Sequence, residues 1–549
     1  MNRPVPLTKP AAETAPAPWW KGAAIYQIYP RSFADSNGDG VGDLPGITAH
    51  LDYVAGLGVD AIWISPFFTS PMKDFGYDVA DYCGVDPIFG TLADFDALVA
   101  RAHALGLKVL VDQVWAHTSD LHPWFVESRE NRTNPRADWY VWADPKADGT
   151  PPNNWQSVFG GPAWTWDARR CQYYMHSFLK EQPQLNVHLP QVQQALLDTA
   201  RFWLDRGVDG FRLDALNHAM HDPSLRENPP APADGKPRTR PFDFQHKLYS
   251  QSQPGVVGFV ERVRALLDRH GRDVFTVAEV GGAQADAEMK AYTAGEGRLN
   301  SAYGFDFLYA PALTPAVVAA AMASWPGEPD AAGHAEGWPS WAFENHDAPR
   351  AVSRWTTPEH AAAFARLKML LLVSLRGNVI LYQGEELGLE QDTIPFELLQ
   401  DPEAIANWPL TLSRDGVRTP LPWLDTPKGG FTTGIPWLPL SRANTARAVA
   451  VQDGDPDSLL ALTRSLLALR HDDPALRLGA FSLVEAEDTL LVFTREHEGR
   501  RLACLFNIGA EPVAWPATVA STGTALAAVN GAAPGHLPPF GALIVEEHA

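Results

Sequence analysis

The feature that most constrains this fold is a repeated alternation of short apolar runs with segments of helical periodicity. "AAIYQIYP" at residues 23–30 is followed by the amphipathic "GITAHLDYVAGLG", and "VDAIWISP" by "TLADFDALVARAHALG". Nearly continuous apolar strands joined by amphipathic helices are typical of parallel strands whose sheet is covered on both faces. The pattern therefore predicts an α/β protein built from β–α units.

Eight strand candidates follow one another along the chain. After the first two come "KVLVDQV", "GFRLDAL", "TVAEV", "SAYGFDF", "SWAFENHD" and "NVILYQGEE". Eight such units favour a closed (β/α)8 TIM barrel over an open sheet.

Two departures from the alternation predict additional domains. About 70 residues rich in Trp, Asn, Pro and Gly separate "VDQVWAH" from the next helix, which is too long for a structureless connection. Near the C-terminus, alternating segments such as "TLLVFTREHEGRRLACLFNIG" indicate an antiparallel β domain. The predicted boundaries are a flexible leader at 1–18, the barrel at 19–117 and 186–475, an inserted subdomain after strand three at 118–185, and a C-terminal β domain at 476–549.

Charge and cysteine content narrow the function and the compartment. With 65 acidic and 44 basic side chains, the formal net charge of -21 argues against binding to nucleic acid or to an anionic membrane. The three cysteines are far apart and odd in number, so no disulfide framework is expected. No stretch approaches the roughly 18 apolar residues of a membrane span. These features favour a cytoplasmic protein with a neutral or cationic ligand.

Ionisable residues recur at the predicted carboxyl ends of the strands, where barrels carry their sites. They are Asp112 and His117 after strand three, Arg212 and Asp214 on strand four, Glu279 on strand five, and Asn345, His346 and Asp347 after strand seven. A single carboxylate at a strand end is often only a helix N-cap. Four strand ends that carry such residues at the same end of the barrel instead indicate a catalytic site.

Three carboxylates in one mouth suit a reaction in which positive charge develops on the substrate, such as glycoside cleavage. That reaction needs one ionised carboxylate and one held protonated. We expect Arg212 to lower the pKa of Asp214 and keep it ionised. Glu279, flanked by apolar residues, is the candidate for a raised pKa and for the acid.

The stretches "DQVWAH", "GFRLDA", "AEV" and "FENHD" resemble, in order, the four signature regions of the α-amylase clan of glycoside hydrolases (family 13). The resemblance runs from about Trp19 to the C-terminus. "DFGYDVADY", "QPQLN", "SRDGVRTPLPW" and "GIPWLP" are similar to the α-glucosidase and oligo-1,6-glucosidase branch.

The resemblance implies roles for individual residues. Asp214 matches the nucleophile, Glu279 the general acid/base, and Asp347 the third carboxylate, which grips the sugar hydroxyls. The implied ligands of the bound glucose are His117, Arg212 and His346, the pair Asp74 and Arg414 with Tyr77 beneath the sugar, and the aromatic walls Phe159 and Phe178. The Asp74–Arg414 pair closes the pocket behind a terminal glucose.

The implied enzyme is therefore a retaining, exo-acting α-glucosidase that also transfers glucose to sugars or alcohols. Ala215 after the nucleophile favours α-1,4 linkages, as in maltose and short oligosaccharides, with alkyl or aryl glucosides and sucrose as further candidates. The alternatives are an oligo-1,6-glucosidase, or a sucrose-acting glucosyltransferase or isomerase on the same fold. We expect no organic cofactor and a monomer or homodimer. A non-catalytic scaffold is disfavoured because all three carboxylates are present.

The stretch "DSNGDGVGD" reads like the start of a calcium-binding hand. Its candidate metal ligands are Asp35, Asn37, Asp39, Asp43 and the carbonyl of Val41. Gly46 stands where a calcium sensor carries a bidentate Glu, which disfavours a sensor. The resemblance implies structural Ca²⁺ or Mg²⁺ here, whereas Ala116 and Gln184 depart from the clan's calcium site between barrel and insert.

Overall fold

The computed structural model describes residues 17–233, 235, 238–325, 337–411 and 413–547. The predicted leader at 1–18 therefore lies outside the described residues, apart from its last two positions.

Eight parallel strands form a closed barrel in which each strand pairs with its neighbours in sequence and the last returns to the first. The strands are β1 (Ala24–Ile28), β2 (Ala61–Ile64), β3 (Lys108–Val114), β4 (Gly210–Asp214), β5 (Phe275–Glu279), β6 (Ser301–Tyr303), β7 (Trp338–Ala342) and β8 (Asn378–Tyr382). Each of the eight predicted runs overlaps one of them, and only β5 and β7 begin before the predicted run, by one and two residues. The predicted (β/α)8 barrel is confirmed.

Helices cover the outside of the barrel. They are Leu44–Ala49 and Leu51–Ala55 after β1, Leu92–Ala104, Pro190–Asp205, Gly255–His270, Ala285–Thr293 and Pro315–Ala323 after β2 to β6, Ala351–Trp355 and Ala361–Ser374 after β7, and Leu459–Asp472 after β8. Shorter helices are Pro402–Asn407, Arg442–Thr445, Val449–Gln452 and Pro474–Arg477. Within the described ranges, no helix has the length and apolarity to cross a membrane.

The amino end of the barrel is closed by apolar side chains. Trp20 stacks on Phe275, the first residue of β5, with ring centroids 5.7 Å apart. Trp19 meets the same ring edge-on at 5.9 Å. Ile25, Leu110 and other buried side chains continue this cluster inside the barrel. Polar groups are therefore gathered at the opposite, carboxyl end of the strands.

Three smaller sheets flank the barrel. Phe68–Thr69 and Asp81–Val85 form a two-stranded antiparallel sheet after β2. Between β3 and β4 lie the helix Pro123–Ser128 and a three-stranded sheet of Trp142–Ala143, Gln172–Met175 and Trp164–Asp167. Near the C-terminus, strands β9 (Ala480–Glu487), β10 (Leu490–His497), β11 (Arg500–Asn507), β12 (Thr524–Val529) and β13 (Ala542–Glu546) form an antiparallel sheet in the order β9-β10-β11-β13-β12. The antiparallel C-terminal sheet is as expected, and the exact domain boundaries stay predictions.

Candidate active site

Arg212 holds three carboxylates from three adjacent strands. It is fully buried on β4. Its Nη1 donates to Asp214 at 2.6 Å and to both oxygens of Asp112 at 2.9 and 3.0 Å. Its Nη2 lies 2.6 Å from Oε2 of Glu279. One guanidinium therefore fixes Asp214 and Glu279 beside each other at the mouth of the barrel.

Tyr303, the last residue of β6, completes this contact. Its hydroxyl accepts from Nε and Nη2 of Arg212 at 3.1 and 3.0 Å and donates to Oε1 of Glu279 at 3.2 Å. The sequence contained the strand, but its pattern gave no sign that Tyr303 reaches the carboxylates. Glu279 also accepts from the backbone N–H of Ala215 at 3.2 Å, so both of its oxygens are oriented.

The pKa values of the two central carboxylates are both raised. Burial raises the pKa of Glu279 to about 7, as expected for an acid. Burial also raises the pKa of Asp214 to about 7 and outweighs the opposing charge of Arg212. The prediction that Arg212 would give Asp214 a lowered pKa is therefore wrong. The cause is burial together with the nearby charges of Asp112 and Asp347.

Asp347 is in the opposite electrostatic situation. Its Oδ1 lies 2.6 Å from Nη2 of Arg418 and 3.2 Å from Nη1 of Arg414. Burial alone would raise its pKa, but neighbouring His346, Arg414 and Arg418 outweigh burial and hold that pKa well below its usual range. Asp347 is therefore the carboxylate that stays ionised at neutral pH.

Arg414 links Asp347 to two further carboxylates. Its Nη2 lies 3.1 Å from Asp74, in the loop after β2, and 2.8 Å from Asp401. Asp401 also accepts from Nε of Arg414 at 3.1 Å and from its backbone N–H at 2.8 Å. Asp401 and Arg418 were not predicted. Both lie in the long irregular segment after β8, where no periodicity marks a side chain as inward-facing.

Buried His346 is linked to Asp112 by hydrogen bonds through Tyr77. The rings of His346 and Tyr77 stack 5.2 Å apart and within 5° of parallel. Tyr77 Oη donates to Asp112 at 3.1 Å and lies 2.6 Å from Nε2 of His346, while Gln27 Nε2 lies 2.9 Å from Nδ1. This pattern fits a neutral His346 that donates through Nε2 and accepts at Nδ1. Burial lowers the pKa of His346 to about 3, in agreement.

The inserted region supplies an aromatic wall. The Phe178 ring lies 5.2 Å from His117 and 5.7 Å from Phe159, and the Arg414 guanidinium lies 4.9 Å above the Phe159 ring. Gln182, which was not predicted, donates to Asp74 at 3.1 Å. Nδ1 of buried His117 has no hydrogen-bond partner among the described residues, so a polar group is available to a ligand.

The eleven side chains expected to act on the substrate thus form one connected set. They are Asp74, Tyr77, His117, Phe159, Phe178, Arg212, Asp214, Glu279, His346, Asp347 and Arg414. Arg212 lies at one end with Asp214 and Glu279, and Arg414 lies at the other with Asp74 and Asp347. Such a site can supply an acid, a nucleophile and a fixed negative charge.

The five candidate metal ligands lie apart from this set, in the loop after β1. Both oxygens of Asp35 accept backbone N–H bonds, from Asn37 and Gly38 at 3.0 and 2.7 Å and from Gly40 at 2.8 Å. Asp43 caps the following helix by accepting from Gly46 N–H at 2.6 Å.

The side chains of Asn37 and Asp39 accept hydrogen bonds from backbone N–H groups of the same loop. Asn37 Oδ1 accepts from Asp39 N–H at 2.8 Å, and Asp39 Oδ1 from Val41 N–H at 2.9 Å. In the part of the chain that the structure describes, no three or more His, Cys, Asp and Glu side chains gather as metal ligands. A carboxylate oxygen has more than one lone pair, so the loop's oxygens, carbonyls included, keep capacity for a hard cation.

Comparisons with known proteins show the family. Residues 27–479 match the family model described as the alpha amylase catalytic domain. A "Probable alpha-glucosidase" of Rhizobium meliloti (strain 1021) is 53% identical over 501 residues, which cover 90% of each chain. An "Oligo-1,6-glucosidase" of Heyndrickxia coagulans is 36% identical over 531 residues, covering 90% of this chain and 93% of the relative.

Among solved structures, the crystal structure of an alpha-glucosyl transfer enzyme, XgtA, superimposes with a TM-score of 0.91. It is 49% identical and covers 97% of this chain and 100% of its own.

Proposed function

The chain belongs to the α-amylase family of glycoside hydrolases, and on this premise we propose that it is a retaining, exo-acting α-glucosidase that releases glucose from the non-reducing end of short α-glucosides. The observation that carries the proposal is the contact of one guanidinium, Arg212, with both Asp214 and Glu279. Retaining glycosidases hold their two carboxyl groups about 5 to 5.5 Å apart, with no room for a water to attack directly.

In the proposed first step, the carboxylate of Asp214 attacks the anomeric carbon of glucose. The glycosidic C–O bond breaks, Glu279 gives its proton to the leaving oxygen, and a glucosyl ester of Asp214 forms. In the second step Glu279 takes a proton from water while that water's oxygen replaces Asp214 at the anomeric carbon. Burial supports Glu279 as the acid because it raises the pKa to about 7.

Asp347 is proposed to stabilise the positive charge that develops on the sugar ring. Its low pKa keeps it ionised through the reaction. The Asp74–Arg414 pair, with Phe159 and Phe178, is proposed to close the pocket behind a single glucose and so to make the enzyme exo-acting. His117, Tyr77 and His346 then lie where hydroxyl groups of that glucose are expected.

A sugar or alcohol hydroxyl can replace water in the second step, so transglucosylation is part of the proposal. The solved relative described as an alpha-glucosyl transfer enzyme supports it. We propose α-1,4-linked substrates such as maltose because Ala215 follows the nucleophile. The second candidate is α-1,6 cleavage, because one relative is described as an oligo-1,6-glucosidase. A sucrose-acting transferase or isomerase is a further alternative.

Product analysis separates these candidates. Purified enzyme is incubated with maltose, isomaltose and sucrose, and products are followed over time. Faster release of glucose from maltose supports the main proposal, whereas faster cleavage of isomaltose, or isomeric disaccharides from sucrose, supports an alternative.

We also propose that Asp35, Asn37, Asp39, Asp43 and the Val41 carbonyl hold a structural Ca²⁺ or Mg²⁺, which would stiffen the loop after β1 and take no part in the chemistry. No step above uses an organic cofactor. A reducing, cytoplasmic compartment is supported by the three free cysteines. A monomer or homodimer is proposed.

A further inference from the structure

A second pocket, with a volume of about 270 Å³, is lined by the segments that follow β4 and β5, the strands that carry Asp214 and Glu279. Its walls come from residues 231–232 and 238–252, after β4, and from Gly282–Gln284, which follow Glu279 closely. Asn217, three residues after Asp214, ties the two walls together. It donates through Nδ2 to Gly281 at 2.6 Å, and its carbonyl accepts from Ser252 N–H at 2.7 Å.

The position of the pocket identifies which part of a substrate could enter it. An acid must lie on the side of the leaving group in order to protonate its oxygen. The segment 282–284 continues directly from the strand that carries the acid. The pocket is therefore placed to receive the group on the far side of the glycosidic bond, whether that group leaves or arrives as an acceptor.

The charges in this pocket are unusual for so acidic a chain. Lys247 places its Nζ 4.0 Å above the Phe242 ring and donates to the Phe242 carbonyl at 3.4 Å. Among the described residues, no carboxylate lies within ion-pair distance of it. Among the described residues of the lining, the one acid is Asp243, which pairs with Arg240 at 3.1 Å. Arg240 in turn pairs with Glu403 at 2.7 Å.

Further polar groups face the same space. Arg238 lies with its guanidinium 5.3 Å from the Phe244 ring and donates to the Pro232 carbonyl at 2.5 Å. Gln251 is 4% exposed, and its Oε1 has no hydrogen-bond partner among the described residues. A buried amide oxygen without a partner is destabilising, and a hydroxyl of a ligand would satisfy it.

We propose that this pocket binds a hydroxylated leaving group or acceptor that carries a negative charge, such as a carboxylate, with Lys247 facing the charge and Gln251 accepting from a hydroxyl. The inference rests on the proposed function, since it assumes that glucose occupies the neighbouring site. Burial lowers the pKa of Lys247, which is consistent with an ammonium that gains from an anionic partner.

The test compares two glucosides that differ in one charge, 4-carboxyphenyl and 4-carbamoylphenyl α-glucoside. For wild type, Lys247→Gln and Lys247→Arg, kcat/KM is measured for each, and the ratio of the two values is compared. We expect Lys247→Gln to lower the carboxyl-to-carbamoyl ratio about fivefold, Lys247→Arg to retain it, and 0.5 M salt to reduce it in wild type. An equal ratio in wild type and Lys247→Gln would overturn the proposal.

Direct binding separates this proposal from the proposed function. 4-Hydroxybenzoate and 4-hydroxybenzamide are titrated calorimetrically into wild type and Lys247→Gln, which requires no turnover. If wild type binds the benzoate more strongly than the benzamide and Lys247→Gln loses this preference, the pocket proposal is supported, even when neither glucoside is cleaved. A failure to cleave either glucoside would refute the proposed glucosidase activity and leave the pocket proposal standing. Equal binding of benzoate and benzamide by wild type would overturn the pocket.

Discussion

The guanidinium of Arg414 lies 3.1 Å from the carboxylate of Asp74, although 340 positions separate the two residues. The loop after β2 and the segment after β8 thus meet at this contact. Because Lys cannot reproduce the forked contacts of Arg414 with Asp74, Asp347 and Asp401, Arg414→Lys should lower kcat/KM on maltose by roughly 10- to 100-fold. Steady-state kinetics would show this. The control is Arg442→Lys, an exposed arginine paired with Asp425 on the same segment, and an equal loss in both variants would argue against a role at the pocket.

Replacing the proposed nucleophile should abolish turnover while leaving the pocket able to bind. Asp214→Asn keeps the size of the side chain but cannot form the glucosyl ester, so kcat should fall by more than about 10³-fold. Kinetics on maltose, with glucose binding followed by calorimetry, measures both properties. Near wild-type turnover in this variant would rule out the assignment.

The rate should depend on pH on both sides of neutrality. Asp214 must be ionised and Glu279 protonated, and burial raises the pKa of each to about 7. Because both pKa values lie near 7, kcat/KM should peak near pH 7, falling below it as Asp214 gains a proton and above it as Glu279 loses one. Glu279→Gln, assayed with an activated aryl glucoside, should lose the alkaline limb. An unchanged alkaline limb would assign that limb to another group.

Because Asp214 is buried, ionisation of its carboxyl should destabilise the folded protein. The unfolded chain releases the Asp214 proton near pH 4, whereas the folded chain keeps it until about pH 7, so stability falls as pH rises between these values. Asp214→Asn removes that loss and should melt higher than wild type at pH 8, by roughly a few degrees, with a smaller difference at pH 5. Differential scanning calorimetry at both pH values tests this, with exposed Asp52→Asn as the control. A lower melting temperature at pH 8 would contradict it.

Chelation should affect stability and spare the chemistry. If the loop after β1 holds a cation, EDTA should lower the melting temperature, and Asp35→Asn should lower it similarly and respond less to EDTA. Thermal melts and maltose turnover at 25 °C would be measured on the same samples. Immediate, complete loss of activity in a folded sample would place the cation in the active site instead.

The barrel and most of its site were predictable because both follow local rules. Apolar periodicity marks strands, and parallel strands place their carboxyl ends together, so Asp214, Glu279 and Asp347 could be assigned to one mouth. Asp401 and Arg418 could not, because irregular backbone carries no periodic signal. The raised pKa of Asp214 was also inaccessible from sequence, where Arg212 is visible as a neighbour but the depth of burial is not.

The pairing of the first strand with the last also bears on how the protein is made. The backbone N–H of Gly22, just before β1, donates at 2.9 Å to Asn378, the first residue of β8, across 356 positions. At typical rates of synthesis, about 5 to 20 residues per second, one edge of β1 waits roughly 20 to 70 s before its partner leaves the ribosome. A nascent chain thus exposes an unpaired edge for most of its translation, the period in which a chaperone would protect it from aggregation.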